Sequence, residues 1–236
     1  MKMICTICAR GGSQGVKNKN ILPLCGKPLI AHSILQAKKT ELFDIVAVSS
    51  DSAEILDVAL QWGVDEVIDR PASLATATAA KSPAIQHAVS EIEKRKNIIF
   101  DIAVDLDATS PLRTLDDIAQ SIRLFQNHPD ALNLITGSPA RKSPYFNLVE
   151  KNKDGYVVLS KKYKNDIVRR QDAPSCYDLN ASIYVWKRNA LFNYDSVILD
   201  KTIFYEMPED RSIDIDTDLD FKIVRLLANE RTDLQT

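Results

Sequence analysis

Excess charge of either sign is missing from this chain. Its 236 residues carry 30 Lys and Arg against 32 Asp and Glu, a formal net charge of −2. No general attraction to a polyanion follows, so nucleic acid is not an expected partner, and a phosphate ligand must be met by local cations. Histidine is scarce: His32, His87 and His128 are scattered and form no ligand cluster. Cysteine numbers four, at 5, 8, 25 and 176. The Cys5-x-x-Cys8 spacing suits a redox or zinc pair. Yet both lie in an apolar strand, where side chains at i and i+3 point to opposite faces. No second Cys/His pair follows at zinc spacing, so the four are read as structural thiols. Long apolar runs are absent; none approaches the ~20 residues that span a bilayer. The first residues show no charged region leading into a secretory h-region and cleavage site. A cytoplasmic protein without a membrane partner is expected. No internal repeat or low-complexity tract occurs.

What is present begins at residues 3–20, MICTICARGGSQGVKNKN. A buried strand breaks into a glycine-rich loop carrying cations. Backbone N–H groups at Gly11 and Gly12 can ring a phosphate, with Arg10 and Lys19 neutralising it. The spacing of Gly11, Gly12 and Gly15 is not G-x-G-x-x-G, and no Gly-Lys-Ser/Thr follows. That argues against a dinucleotide and against a Walker-type NTPase. The basic residues bracketing the glycines favour a nucleoside triphosphate; a solvated basic turn is the plainer reading.

Strands and helices then alternate. Helical patterns cover 28–39, 53–62, 82–95 and 116–126, and a final one is capped by Asp216 or Thr217. Short apolar strands cover 43–49, 65–69, 101–106, 131–137, 183–186 and 203–207. This alternation implies an α/β domain with a mostly parallel sheet covered on both faces. The rhythm fails between 138 and 180, where prolines, charges and two β-like runs flank Asp154-Gly155, a hairpin signal. So long an irregular stretch is expected to pack against something, and a second subunit is a good candidate.

Four further constellations carry chemistry. Arg70-Pro71 follows the third strand and, alone, reads as a turn with a surface arginine. Asp105-Leu-Asp107-Ala-Thr-Ser-Pro-Leu-Arg113 lies at the carboxyl end of a strand, where open α/β sheets bind ligands. In RSIDIDTD (211–218), Asp214 and Asp216 flank Ile215, so an extended chain points both carboxylates the same way. Such a pair near a phosphate loop suits Mg²⁺, which takes one or two carboxylates and completes its octahedron with waters and substrate phosphates. Acids decorating a helix N-terminus are the alternative. Last, Arg169-Arg170 with Tyr177 and Asn180 offers guanidinium groups that fit a carboxylate bidentately; an interface ion pair is the alternative.

Together and in this order, ICARGGSQGVKNKN, RPASLA, DLDATSPLR, NASIYVW and RSIDIDTDLD resemble the cytidylyltransferases that make CMP-sialic acids. The pieces span 4–220. The resemblance implies a Rossmann-like three-layer nucleotidyltransferase domain over 1–236 with a mixed, mostly parallel sheet. It also implies a small dimerisation element inserted at 138–180 that completes the partner's site in a homodimer. The implied reaction joins CTP to a nine-carbon 2-keto sugar acid and releases pyrophosphate. Arg10, Lys19 and Asp216 are the implied catalytic residues. Gly11, Gly12, Ser13, Asn20 and Arg70 join Arg10 and Lys19 around the nucleotide. Asp214 and Asp216 hold Mg²⁺. Arg169, Arg170, Tyr177, Asn180 and Asp107 face the sugar acid, with Arg170 offered across the dimer.

Two positions depart from the sialic-acid pattern. That group commonly reads Gln-Pro-Thr-Ser-Pro-Leu-Arg where this chain has Asp107-Ala108. The DLD form, RRQDAPSCYDLNASIYVWKR and MPEDRSIDIDTDLDFKIV look like the legionaminic acid branch, whose sugars carry an N-acyl group where sialic acid has a hydroxyl. An amide N–H suits a carboxylate acceptor. The second departure is Ala77, where relatives carry an acid; Thr76 or Thr78 would replace its contact. Transfer to sialic acid itself or to an eight-carbon ulosonic acid is the alternative within enzymes. A nucleotide-sensing protein on an inactive scaffold is the alternative outside them.

Overall fold

The computed structural model describes residues 1–12, 15–76, 80–163 and 169–235, with Arg170 described in its main chain only. The chain opens with β1 (Met3–Cys8), and the short pair β2 (Pro23–Leu24) and β3 (Lys27–Pro28) leads into α1 (Leu29–Thr40). Then come β4 (Ile45–Ser50), α2 (Ala53–Gln61), β5 (Glu66–Asp69), α3 (Lys81–Lys96), β6 (Ile102–Leu106), α4 (Leu115–Gln126) and β7 (Asn133–Pro139). The irregular stretch carries β8 (Val149–Lys151) and β9 (Val157–Leu159). The chain closes with β10 (Tyr177–Lys187), α5 (Arg188–Asn193), β11 (Thr202–Glu206), α6 (Asp218–Asn229) and α7 (Thr232–Gln235).

Seven strands form one sheet in the order β11-β7-β10-β6-β1-β4-β5. All neighbours run parallel except β10, which is antiparallel to both β6 and β7. The sheet is therefore mixed and mostly parallel. The chain leaves β1 toward β4 and β5, then crosses back through α3 to β6 on the other side of β1. That reversal opens a crevice at the carboxyl ends of β1, β4 and β6.

Strand alternation builds two layers. Cys5 and Ile7 face a cluster with Ile30, Ile34, Ile118 and Phe125 of α1 and α4. Ile4 faces the other, with Ile85, Val89 and Ile92 of α3 and with Trp186. Cys5 and Cys8 thus lie on opposite faces, and burial pushes both thiols up, as inert structural cysteines require. A third cluster lies beside the crevice, where Ile215 meets Val16, Leu29, Leu112 and Val224. β8 and β9 pair antiparallel around Gly155, whose φ of 85° is the left-handed geometry that a turn glycine supplies.

Thr114 caps α4 in a reciprocal box with Asp117. Asp117 is buried and receives both arms of Arg211 at 2.9 Å, which pins the segment leading to Asp214 onto α4. Burial pushes the Asp117 acid up, but hydrogen bonds from Arg211 and Thr114 outweigh it, and the pKa lies below the ordinary aspartate value. That contribution to stability is full above the unfolded-state pKa and lost as pH falls through the lower folded value. Arg211→Ala is expected to cost about 3 kcal/mol, because it strands a buried charge. It should also move the start of acid unfolding to higher pH. Urea melts across an acid pH series check both; a loss under ~1 kcal/mol would place the pair among ordinary surface bridges.

Candidate active site

The loop after β1 is held from several sides. Ala9 N–H continues the ladder to the Ser49 carbonyl at 3.0 Å. Gly11 N–H donates to Asp51 Oδ1 at 2.8 Å, and Arg10 Nη1 donates to the Thr76 carbonyl at 3.0 Å. Asn20 Nδ2 returns to the Arg10 carbonyl at 3.0 Å, closing the loop across ten residues. A Cβ on Gly11 would stand 2.9 Å from Ser52 Cβ, whereas one on Gly12 would meet nothing. Gly12 is therefore open to an approaching ligand. Ser13 lies outside the described residues, as do Ala77 and Thr78.

Gly15 brings this loop against the distant acid loop. A Cβ there would fall on the Asp216 carbonyl. Lys19 makes the same junction by charge, donating its ammonium to the Ile215 carbonyl and standing 3.5 Å from Asp216 Oδ1. Gly15→Ala is expected to lower kcat/KM about 100-fold, the scale of a ~1 Å misplacement of catalytic groups. Turnover reads it, with far-UV circular dichroism unchanged. Activity within threefold of the parent would show that the junction tolerates spreading.

The acid loop owes its direction to packing. Ile213 and Ile215 turn into the third cluster, so Asp214 and Asp216 turn the other way. Ile215 N–H donates to the Thr109 carbonyl at 3.1 Å, tying the acids to the segment after β6. Asp214 is half-buried, and its Oδ1 has no hydrogen-bond partner among the described residues. Burial, then Asp107 and Asp216, raise its pKa to about 6, against the Thr109 hydroxyl and Lys19. Asp216 is exposed and begins the run into the Thr217–Asp220 capping box of α6.

Arg10, Lys19, Asn20, Arg70, Asp107, Asp214 and Asp216 line one pocket of about 280 Å³ at the carboxyl ends of β1, β5 and β6. Arg70 is not a surface residue. It is buried, with Nε 3.1 Å from Ser49 Oγ and Nη2 2.5 Å from the Ser49 carbonyl. Asp107 Oδ1 accepts from Thr109 N–H at 3.0 Å and Oγ1 at 2.7 Å; its Oδ2 accepts from Lys81 at 2.6 Å.

The other sugar-acid candidates are not brought to this pocket within one chain. Arg169 is exposed and forms a bidentate pair with Asp172 at 2.9 and 3.0 Å. Arg170 opens the short 3₁₀ turn Arg170–Asp172. Tyr177 packs on Phe204, ring centroids 4.7 Å apart, at the start of β10. Asn180 is an interior strut rather than a pocket wall. It accepts from Thr136 Oγ1 at 2.7 Å and donates to Ser212 Oγ at 3.0 Å, two residues before Asp214. Its internal bonds tie it to the acid loop, and within the single chain it is buried.

Sequence reasoning missed Lys81, Thr109 and the role of Asp51. The available signal for Lys81 was a misfit. A lysine opening a helix opposes the helix dipole, so something else must hold it there. Thr109 and Asp51 gave no comparable signal, since Thr and Asp are ordinary turn and cap residues.

A cytidylyltransferase family model matches residues 4–234. A protein described as post-translational flagellin modification protein B, from Campylobacter coli, is 47% identical over 231 residues, covering 98% of this chain and 96% of that one. A CMP-N,N'-diacetyllegionaminic acid synthase from Campylobacter jejuni is 44% identical over 228 residues, covering 97% and 95%. Among solved structures, a CMP:2-keto-3-deoxy-manno-octonic acid synthetase complexed with CTP superposes with a TM-score of 0.69. At 18% identity over 98% of this chain and all of that one, it shares the fold. With a family match running from the first strand to the last helix, this chain belongs to the cytidylyltransferases.

Proposed function

We propose that this protein transfers CMP from CTP to a nine-carbon 2-keto sugar acid, N,N'-diacetyllegionaminic acid, releasing pyrophosphate. The observation that carries the reading is the junction of two distant loops. Lys19 of the glycine-rich loop touches Ile215 and lies 3.5 Å from Asp216, so a cationic cradle and an acid pair share one pocket. A relative 44% identical that is named for this sugar supports the substrate.

The anomeric 2-hydroxyl attacks the α-phosphorus in line, the α–β anhydride bond breaks, and pyrophosphate departs. Catalysis comes from positioning and charge rather than a covalent intermediate. Arg10 and Lys19 stabilise the charge that grows on the phosphoryl oxygens. The open backbone at Gly12 allows the triphosphate close approach, and buried Arg70 meets the cytidine. The hydroxyl proton goes to Asp216, exposed at the mouth, or to water beside it.

The acid pair fits Mg²⁺. Asp214 offers a buried carboxylate oxygen without a partner, and Asp216 follows it. No group of three or more His, Cys, Asp or Glu side chains suited to a metal occurs among the described residues. Two carboxylates completed by substrate phosphates form the kind of site Mg²⁺ takes. When bound, the ion neutralises the triphosphate and the leaving pyrophosphate.

Residues 138–180 are proposed to dimerise the chain and to offer Arg170 to the partner's sugar acid. Their hairpin supports this, since Val149, Tyr156, Val157 and Leu159 are exposed apolar side chains on one small element. The cytoplasm, where CTP is made, is the proposed location. Pyrophosphate release with CTP, Mg²⁺ and a panel of acids tests the reading. The panel is N,N'-diacetyllegionaminic, N-acetylneuraminic and an eight-carbon ulosonic acid. The first should give the highest kcat/KM. Preference for another would overturn the substrate; CTP binding with no release from any would overturn the reaction.

A further inference from the structure

We infer that Lys81 is a positioning residue for the sugar end of the pocket, acting through Asp107, and that the two form one recognition unit for an N-acyl group. This rests on the transfer reading above.

Lys81 lines the pocket that holds Arg10 and Lys19, so a phosphate contact is the obvious role for it. Its surroundings point elsewhere. The ammonium lies 2.6 Å from Asp107 Oδ2 and 3.1 Å from Asp105 Oδ2, and 4.6 Å from the centroid of the Tyr184 ring. Asp105 is fully buried and takes a hydrogen bond from Thr6 Oγ1 at 2.8 Å, so it cannot follow a moving partner. Asp107 is fixed through Oδ1 by Thr109. The lysine is clamped between two immobile carboxylates and an aromatic face. A cation serving a triphosphate needs the reverse, a free head on a mobile stem.

The clamp also answers a problem set by Asp107. An ionised carboxylate beside the sugar pocket would repel the substrate's own carboxylate. Burial alone would lower the Lys81 pKa, but Asp107 and Asp105 hold it above the ordinary lysine range. Burial pushes Asp107 up, and Lys81 with Thr109 brings it down to about 2. Both members therefore stay charged together, and the ammonium offsets the Asp107 charge that the pocket would otherwise present, although buried Asp105 shares it. A carboxylate has about four acceptor sites. One bond to Lys81 and two to Thr109 leave one for a donor in the pocket. The chemistry that fits is a neutral N–H, as an acylamino substituent provides. A glutamine at position 107, without a lysine at 81, would present a donor as well and accept a hydroxyl instead.

The test compares Lys81→Met, Lys81→Arg, Asp107→Asn, the Lys81→Met/Asp107→Asn double and Asp107→Gln in Lys81→Met. Calorimetric binding of N,N'-diacetyllegionaminic and N-acetylneuraminic acids is measured with a non-hydrolysable CTP analogue bound, beside initial-rate kinetics. Lys81→Met is expected to weaken the diacetylated acid at least about tenfold, in Kd and in KM, with kcat and the CTP KM within about threefold. Lys81→Arg should recover part of the affinity. The double variant should be no worse than Lys81→Met, because the pair acts as a unit. Asp107→Gln in Lys81→Met should bring the two acids within about threefold of each other. A sugar-acid Kd unmoved by Lys81→Met, or losses that add in the double variant, would overturn the inference. So would a Lys81→Met that loses kcat and both KM values alike, or that fails to fold while Lys81→Arg binds like the parent. Wild-type protein that binds the sugar acid yet releases no pyrophosphate would overturn the transfer reading and leave the binding comparison intact.

Discussion

Asp214→Asn is expected to lower kcat/KM about 1,000-fold without lowering the unfolding midpoint. The two halves of this expectation have one cause. Asp214 is the inner member of the acid pair, and its Oδ1 is buried with no hydrogen-bond partner among the described residues. Burial raises its pKa to about 6, helped by Asp107 and Asp216. A carboxylate in that position costs stability in the free protein. Structure alone gives no reason to keep it. Asparagine has the same shape, so the packing of Ile213 and Ile215 in the third cluster survives, and the charge that burial penalises is gone. What is lost is the anionic oxygen that the pocket offers to a cation. Asp216 cannot replace it, because Asp216 is exposed and already stands beside Lys19. Thermal melts with and without Mg²⁺ add a reading independent of turnover. Mg²⁺ should raise the midpoint of the parent and not of the variant. Activity within tenfold of the parent would remove Asp214 from the site. A lower midpoint would make it a structural residue.

The parts of this site that were legible in sequence are those whose meaning is local. The glycine loop reads from its own composition. The acid pair reads from strict alternation with Ile213 and Ile215, which the structure places in one apolar cluster. Elements were legible for the same reason: α4, for one, buries Ile118, Ile122 and Phe125 on a single face. The surroundings of Asn180 cannot be read from strand alternation. Counting back from Trp186 and Tyr184, which face α3, alternation puts residue 180 on that side. The pairing of β10 shifts register between Leu179 and Tyr184, with Ala181 at φ 51°. Such an irregularity turns the preceding side chains over. Asn180 instead meets Thr136 and Met207 on the opposite face. The same break hid the first half of β10. Lys81 was illegible for another reason. Its role is defined by Asp105 and Asp107, more than twenty residues away, and nothing in its own neighbourhood announces them. Arg169 pairs with Asp172 in its own turn, and any role for that turn lies beyond the single chain.

Lys19→Met is expected to reduce kcat about 1,000-fold, a fall comparable to that of Asp214→Asn but reached from the other loop. Methionine keeps the apolar stem, and the stem is what the surroundings pack, since the Lys19 side chain is only 12% exposed. The change removes the ammonium. Two consequences follow, and they separate experimentally. One is the loss of charge where negative charge develops on the transferring phosphoryl group. The other is the loss of the tether from the glycine loop to the Ile215 carbonyl and Asp216. Lys19→Arg keeps the charge but replaces a compact head with a planar fork that the narrow junction cannot seat as well. It should therefore retain CTP binding within about tenfold of the parent while recovering kcat only in part. Gly15→Ala, by contrast, spreads the junction and leaves every charge in place. A ranking in which Gly15→Ala is mild, Lys19→Arg intermediate and Lys19→Met severe assigns the rate to charge. Equal damage from all three assigns it to the spacing of the loops. Lys19→Met with kcat within tenfold of the parent would mean that the glycine loop does not hold the reacting phosphate. A cation at Asp214 would then need a different anionic partner.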